Sequence, residues 1–239
     1  MCGQPLQEIS RVPVCCSCLQ APTPLDAEFF CVSCRTPFRN RFPLDEEGRC
    51  ALCRGALRGF DAAYSFGYYD GVLRQLIHLY KYRKVRTLSG PLGELLLRAL
   101  PRDEKFDCVS PVPLHWRRRW QRGFNQSRLL AQHVASHAGI PAVNLLRRLR
   151  HTAAQAGLSN TGRRRNVAAA FACKRPEQAA GRRILLIDDV MTTGSTAAAC
   201  ARTLKRAGAA RVALLTLARA DRRFPSSFSA SPLEMGGTS

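Results

Sequence analysis

Residues 182–200 read RRILLIDDVMTTGSTAAAC: an uninterrupted apolar run, two adjacent acids, then a Thr-Thr-Gly-Ser-Thr cluster that opens an alanine-rich stretch. Ile184–Ile187 is apolar on both faces, as a central strand of a parallel sheet must be when helices cover it above and below. Asp188 and Asp189 then fall at the carboxyl end of that strand, the side on which open α/β sheets bind ligands. Thr192–Thr196 form the turn into the next helix, whose unpaired N–H groups and dipole attract a phosphate. Thr192, Thr193, Ser195 and Thr196 add hydroxyl donors, and Gly194 lets the backbone approach closely. Two carboxylates beside a phosphate nest do not suit a second phosphate. They suit sugar hydroxyls, bound directly or with a cation nearby. A ribose 5-phosphate unit satisfies both halves, with its hydroxyls on the acids and its phosphate in the turn. A buried strand ending in an Asp helix cap would explain the acids alone, but not the whole arrangement.

The same alternation extends outward. AAYSFGYY (62–69) reads as a strand, and DGVLRQLIHLYKYRK (70–84) as a helix with Leu73, Leu76, Ile77 and Tyr80 at helical spacing. LSGPLGELLLRAL (88–100) reads as a second helix, starting after Pro91, and FDCVSPVPL (106–114) as a buried strand stopped by its prolines. A helix is expected from about Ser127 to His137, ended by Gly139 and Pro141, then a strand within 142–149. Residues 150–170 are polar and read as a loop. RRILLID is the central strand, Thr196–Ala207 a helix closed by Gly208, and RVALLTLA (211–218) a further strand. Strands alternating with helices imply an α/β fold around an open parallel sheet. Residues 220–239, rich in Ser, Pro and Gly, are expected to form a disordered tail.

The chain has 239 residues and eleven cysteines, six of them in three C-x-x-C pairs: Cys15/Cys18, Cys31/Cys34 and Cys50/Cys53. Such a pair presents two thiolates from one tight turn, and two pairs supply a tetrahedral zinc site. Residues 1–60 lack the apolar periodicity of a core, so a metal would provide the missing folding energy. Fifteen residues separate Cys34 from Cys50, which suits a zinc ribbon, while twelve separate Cys18 from Cys31. The reading favours Cys31, Cys34, Cys50 and Cys53 as ligands of a structural Zn²⁺, with Cys15 and Cys18 as rival donors. The expected division is therefore a ribbon in 1–60, a ligand-binding domain in 61–219, and the tail.

The net charge is +20, with 37 Lys and Arg against 17 Asp and Glu, which suits phosphorylated ligands, nucleic acid or anionic surfaces. Only five of the basic residues are Lys, so a general preference for Arg fits as well. The sequence holds no run of eighteen apolar residues and opens without an apolar signal segment, so a cytoplasmic protein is expected. After the strand at 106–112, Arg117, Arg118, Arg119 and Arg122 concentrate positive charge where a leaving pyrophosphate would lie. Trp116 and Trp120 are interleaved with them, to stack nucleobases or to anchor the loop. No histidine stands in a motif that suggests catalysis.

ILLIDDVMTTGST (184–196) resembles the PRPP-binding signature of type I phosphoribosyltransferases, PRPP being phosphoribosyl pyrophosphate. SPVPLHWRRRWQRGFNQS (110–127), RRLRHTAAQAGLS (147–159) and RRRNVAAAF (163–171) resemble the competence protein F (ComF) family, whose members pair a phosphoribosyltransferase-like fold with a double zinc ribbon. The Cys pairs ahead of YDGVLRQLIHLYKY (69–82) are similar to that ribbon, although the family pattern has four C-x-x-C pairs and this chain three. One bound zinc and two are both compatible with that.

The resemblance implies a type I phosphoribosyltransferase sheet with a small N-terminal zinc ribbon. It implies that Asp188 and Asp189 hold the ribose hydroxyls of PRPP, with Mg²⁺, and that Val190, Met191, Thr192, Thr193, Gly194, Ser195 and Thr196 wrap its 5-phosphate. Arg118, Arg119 and Arg122 would then assist the pyrophosphate, and residues 150–170 would form the hood, with Gln155, Arg163, Arg164 and Asn166 as candidate contacts. It further implies a role in DNA uptake, with single-stranded DNA and other uptake proteins as partners. A phosphoribosyltransferase with an unidentified acceptor and a PRPP sensor without turnover are the alternatives.

Overall fold

The computed structural model describes residues 2–3, 11–55, 59–114, 123–149 and 170–220. The strands, in chain order, are β1 (Phe29–Phe30), β2 (Pro37–Phe38), β3 (Ala62–Tyr68), β4 (Cys108–Pro111), β5 (Leu146–Arg148), β6 (Phe171–Cys173), β7 (Arg183–Met191) and β8 (Arg211–Arg219). The helices are α1 (Cys16–Gln20), α2 (Ala51–Gly55), α3 (Gly71–Tyr82), α4 (Ser89–Ala99), α5 (Gln126–Ala138), α6 (Pro176–Ala179) and α7 (Ser195–Arg206). The main sheet has the order β3-β8-β7-β4 and every pairing in it is parallel.

Side chains alternate across a strand, and the two central strands divide their apolar residues accordingly. Ile184, Leu186, Val212 and Leu214 face one core with α7, while Leu185, Ile187, Ala213 and Leu215 face another with α3, α4 and α5. All eight are fully buried. This is why the run at 184–187 is apolar without interruption.

Beyond β4, Val109 bridges Ala142 in parallel, its N–H donating to the Pro141 carbonyl at 2.9 Å and its carbonyl accepting from the Val143 N–H at 2.8 Å. The chain therefore passes outward from β4 across α5 and returns on β4's other side as β7. From there it moves away in the opposite direction through α7 to β8. Right-handed crossovers put helices that move in opposite directions on opposite faces. The direction of travel reverses between β4 and β7, and the crevice at their carboxyl ends is the switch point at which such sheets take ligands.

Several boundaries differ from the sequence reading. β7 does not stop at Asp188: Asp188, Val190 and Met191 stay in register with Thr216, Ala218 and Arg219 of β8, so the acids lie within the strand. α4 begins at Ser89, ahead of Pro91, because the N–H groups of a first turn have no helical partner and proline loses nothing there. The expected strand in 142–149 resolves into the Ala142 bridge and β5, which pairs antiparallel with β6. The loop and hood residues of 150–169, the basic loop 115–122 and the tail from 221 lie outside the described residues.

The Cys-rich segment is not loosely appended. Cys31, Cys34, Cys50 and Cys53 are buried in the same core as α7, and the Ala63 N–H of β3 donates to the Ser33 carbonyl at 2.9 Å. Val14 and Cys18 pack on the opposite face with α3 and α4. Among the described residues no helix is long and apolar enough to cross a membrane.

Candidate functional site

Asp188 and Asp189 alternate across β7 as neighbours in a strand do, and each meets a different support. The Ser127 hydroxyl, in the first turn of α5, donates to Asp188 Oδ1 at 3.0 Å, and the Asp189 N–H donates to the same oxygen at 2.9 Å. Lys81 Nζ lies 2.7 Å from Asp189 Oδ1, with both side chains only 11% exposed. Burial, then the charge of Asp189, pushes the Asp188 carboxyl up to about 7, against the opposing pull of Lys81. The acids are thus crowded and partly compensated, an arrangement met at functional sites.

Lys81 is brought there by the residue before it. Tyr80 is fully buried and its hydroxyl donates to the Gln126 carbonyl at 3.0 Å, which pins the last turn of α3 against the start of α5. Burial and the Asp189 charge hold that phenol far above its ordinary range. The Tyr80 ring meets Phe124 edge-on at 5.4 Å, and Arg86 lies over the same Phe124 ring while donating to the Gly123 carbonyl at 3.0 Å. The chain leaving the basic loop is therefore clamped beside the acids. Sequence reasoning passed over Lys81, Ser127 and Arg86. The signal for Lys81 was available: it stands four residues after buried Ile77, on the face a helix turns inward.

On the other side of the acids is the start of α7. Gly194 takes φ 76°, a left-handed conformation that costs a residue with a Cβ, and caps the helix through its backbone. Thr193 Oγ1 and Ser195 Oγ lie 2.9 Å apart, Thr192 and Thr193 are exposed, and the first turn of α7 contains no acid. Val190 and Met191 lie between acids and turn. Met191 is buried in the α7-side core, so it offers the site its backbone. The residues from Asp188 to Thr196 thus present carboxylates at one end and a hydroxyl-rich helix N-terminus at the other. Arg118, Arg119 and Arg122 lie outside the described residues.

The cysteines gather into two groups. The sulfurs of Cys31, Cys34, Cys50 and Cys53 all lie within 4.8 Å of one another, and all four residues are buried. The Cys50 N–H points to Cys31 Sγ at 3.3 Å, the backbone-to-thiolate contact of a metal knuckle. A hydrogen bond from Cys31 holds Cys34 far below the ordinary thiol range, and the same neighbour holds Cys53 far above it. Four buried sulfurs gathered this closely, from two C-x-x-C turns, fit a tetrahedral zinc. Cys15 and Cys18 gather instead with Cys2, as three sulfurs without a fourth among the described residues.

Residues 125–230 match the family described as the phosphoribosyl transferase domain. Competence protein F of Haemophilus influenzae is 34% identical over 180 residues, covering 72% of this chain and 78% of the relative. The DNA utilization protein YhgH of Salmonella typhi is 33% identical over 224 residues, covering 87% and 98%. The chain belongs to the competence protein F family. Competence protein ComFC of Bacillus subtilis, a more distant member, is 29% identical over 156 residues, covering 63% of this chain and 61% of its own length. For a competence protein F relative the open parallel sheet is of the type I phosphoribosyltransferase kind. The four-Cys cluster stands where the family has a zinc ribbon.

Proposed function

We propose that this chain binds PRPP at the carboxyl end of β7 and uses that site in handling single-stranded DNA during DNA uptake. The observation that carries the reading is the span from Asp188 to Thr196: two carboxylates in the last paired stretch of β7, followed by a hydroxyl-rich helix start free of acids. The hydrogen bonds and ion pair of the two acids among the described residues fall on Oδ1 of each, which leaves both Oδ2 atoms for ribose hydroxyls. The 5-phosphate would take the N–H groups and hydroxyls of Thr192–Thr196. Lys81, with Arg118, Arg119 and Arg122, would meet the pyrophosphate. Mg²⁺, when bound with PRPP, would neutralise pyrophosphate charge. The names of the relatives, competence and DNA utilization, support the DNA role, as does the charge of +20.

PRPP with Mg²⁺ should raise the melting temperature, since a ligand selective for the folded state stabilises it. Asp188→Ala with Asp189→Ala should abolish the rise, and an undiminished rise would refute the placement of the ribose. Arg118→Ala with Arg119→Ala should weaken pyrophosphate and single-stranded DNA together, flattening the salt slope for DNA by about 0.7 per lost phosphate contact. Unchanged DNA affinity would move DNA binding away from this loop.

A second reading, turnover of PRPP with an acceptor base, is favoured by the intact signature from Ile184 to Thr196. Transfer through an oxocarbenium-like state needs positioning and leaving-group stabilisation more than a general base. Pyrophosphate release with a panel of nucleobases distinguishes it from binding alone. A cytoplasmic location, and a division into a ribbon in 1–60 and a PRPP-binding domain in 61–219, belong to the same proposal.

A further inference from the structure

α4 and α5 lie side by side on one face of the sheet, and the surface where they meet carries Glu94, His133 and His137. His133 and His137 are four residues apart on α5, so their rings share one face. The rings stack with centroids 4.1 Å apart and planes inclined by 24°. Both present Nε2 to the same carboxylate oxygen: Glu94 Oε1 lies 2.8 Å from His133 and 3.8 Å from His137.

The second nitrogen of His137 decides what the first can do. Nδ1 is 2.9 Å from the His133 carbonyl oxygen, which can only accept, so Nδ1 carries the proton. In the neutral ring Nε2 is then a bare lone pair turned toward Glu94, across a gap too long for a hydrogen bond. Two acceptors facing each other repel unless a proton or a metal ion lies between them. A ring N–H donated to a backbone carbonyl is also the device that orients metal-bound histidines. Donors around a tetrahedral zinc, with bonds of 2.0–2.1 Å, stand about 3.3 Å apart. The two observed spacings straddle that value.

The seat for His133 is built into the opposite helix. A Cβ on Gly93 would lie 2.2 Å from His133 Cδ2, so any larger residue would expel the ring from its place against α4. The His133 side chain is accordingly 17% exposed, while Glu94 and His137 remain 57% and 49% exposed and open to an arriving ion.

We propose that Glu94, His133 and His137 form a surface site for a divalent transition-metal ion, with a fourth position open to solvent. Two imidazoles and one carboxylate, with no thiolate, suit Zn²⁺, Ni²⁺ or Co²⁺ over Mg²⁺ or Ca²⁺. The site is separate from both cysteine groups, and an ion in it would clamp α4 to α5.

The test uses the full chain with its cysteine sites already loaded with zinc, titrated with Co²⁺ alone. The expected result is a weak visible absorption without the near-ultraviolet band of thiolate-bound cobalt. His137→Gln should lower the affinity at least about tenfold, and Glu94→Gln should do likewise. His137 is half-exposed, so His137→Gln should fold; an unchanged melting temperature without added metal checks this. Equal cobalt uptake by wild type and His137→Gln would overturn the proposal, as would a signal that comes only with the thiolate band. Either result would reduce the cluster to a His133–Glu94 hydrogen bond.

Discussion

Lys81 shows how much one residue of the candidate site depends on its neighbours. Lys81→Met should leave Asp188 and Asp189 adjacent, largely buried and without their cation, costing about 3 kcal/mol at pH 8. The deficit should shrink at pH 5, where Asp188 takes up a proton. The sign follows from linkage. Asp188 titrates near 7 in the folded chain, above its ordinary value of about 4, so it holds a proton more tightly folded than unfolded. Its contribution to stability is complete below about pH 4 and is lost as pH rises through about 7. Asp188→Asn cannot suffer that loss. Relative to wild type its unfolding free energy, read from urea titrations, should climb between pH 4 and pH 7 and then level off, by about 1–3 kcal/mol in all. A difference independent of pH would mean that Asp188 is not held protonated. The acids themselves were legible because a carboxylate after an apolar strand is conspicuous. Lys81 was fainter, because the stripe of Leu73, Leu76, Ile77 and Tyr80 reads as complete before it, and its spacing from Ile77 is the one mark that the face continues.

At the scale of elements, the start of α7 separates stability from binding. Its first turn lacks an acid, although an acid there would favour the helix dipole. Ser195→Asp should therefore stabilise the free protein, by about 0.3–1 kcal/mol, while abolishing the thermal shift given by PRPP, because the new carboxylate occupies the place of the phosphate. Both changes can be read from one set of melting curves. A retained PRPP shift would place the phosphate elsewhere. The same stretch shows where sequence reading ends. The apolar run revealed the central strand, but its extension through Asp188–Met191 depends on pairing with Thr216–Arg219, which no local pattern contains. β5 was half legible for the same reason: its partner β6 lies beyond a long polar segment. The topology that sets the crevice between β4 and β7 rests on the bridge from Val109 to Ala142, a single contact that leaves little mark in the sequence.

Across the whole molecule, the cysteine cluster and the strand ends are joined through Arg219. This residue is opposite Met191 in the β7–β8 register, its side chain is buried, and its guanidinium donates to the Cys34 carbonyl and the Thr36 hydroxyl. One end of the link is thus the first knuckle of the proposed zinc site, and the other is the strand pair that carries the proposed PRPP site. The sequence reading set residues 1–60 apart as a ribbon because they lack a periodic core. In the folded chain Cys31, Cys34, Cys50 and Cys53 complete the core around α7. Metal in small ribbons contributes about 10–16 kcal/mol of apparent binding free energy, so its loss should free the knuckle and remove two acceptors from Arg219. Chelation should then make residues 29–55 protease-sensitive and also weaken PRPP. Arg219→Met in zinc-loaded protein should reproduce part of the PRPP loss while keeping the metal, because it cuts the link and leaves the four sulfurs in place. If chelated protein keeps the full PRPP shift, the ribbon and the PRPP site are energetically independent, and Arg219 only fastens one to the other.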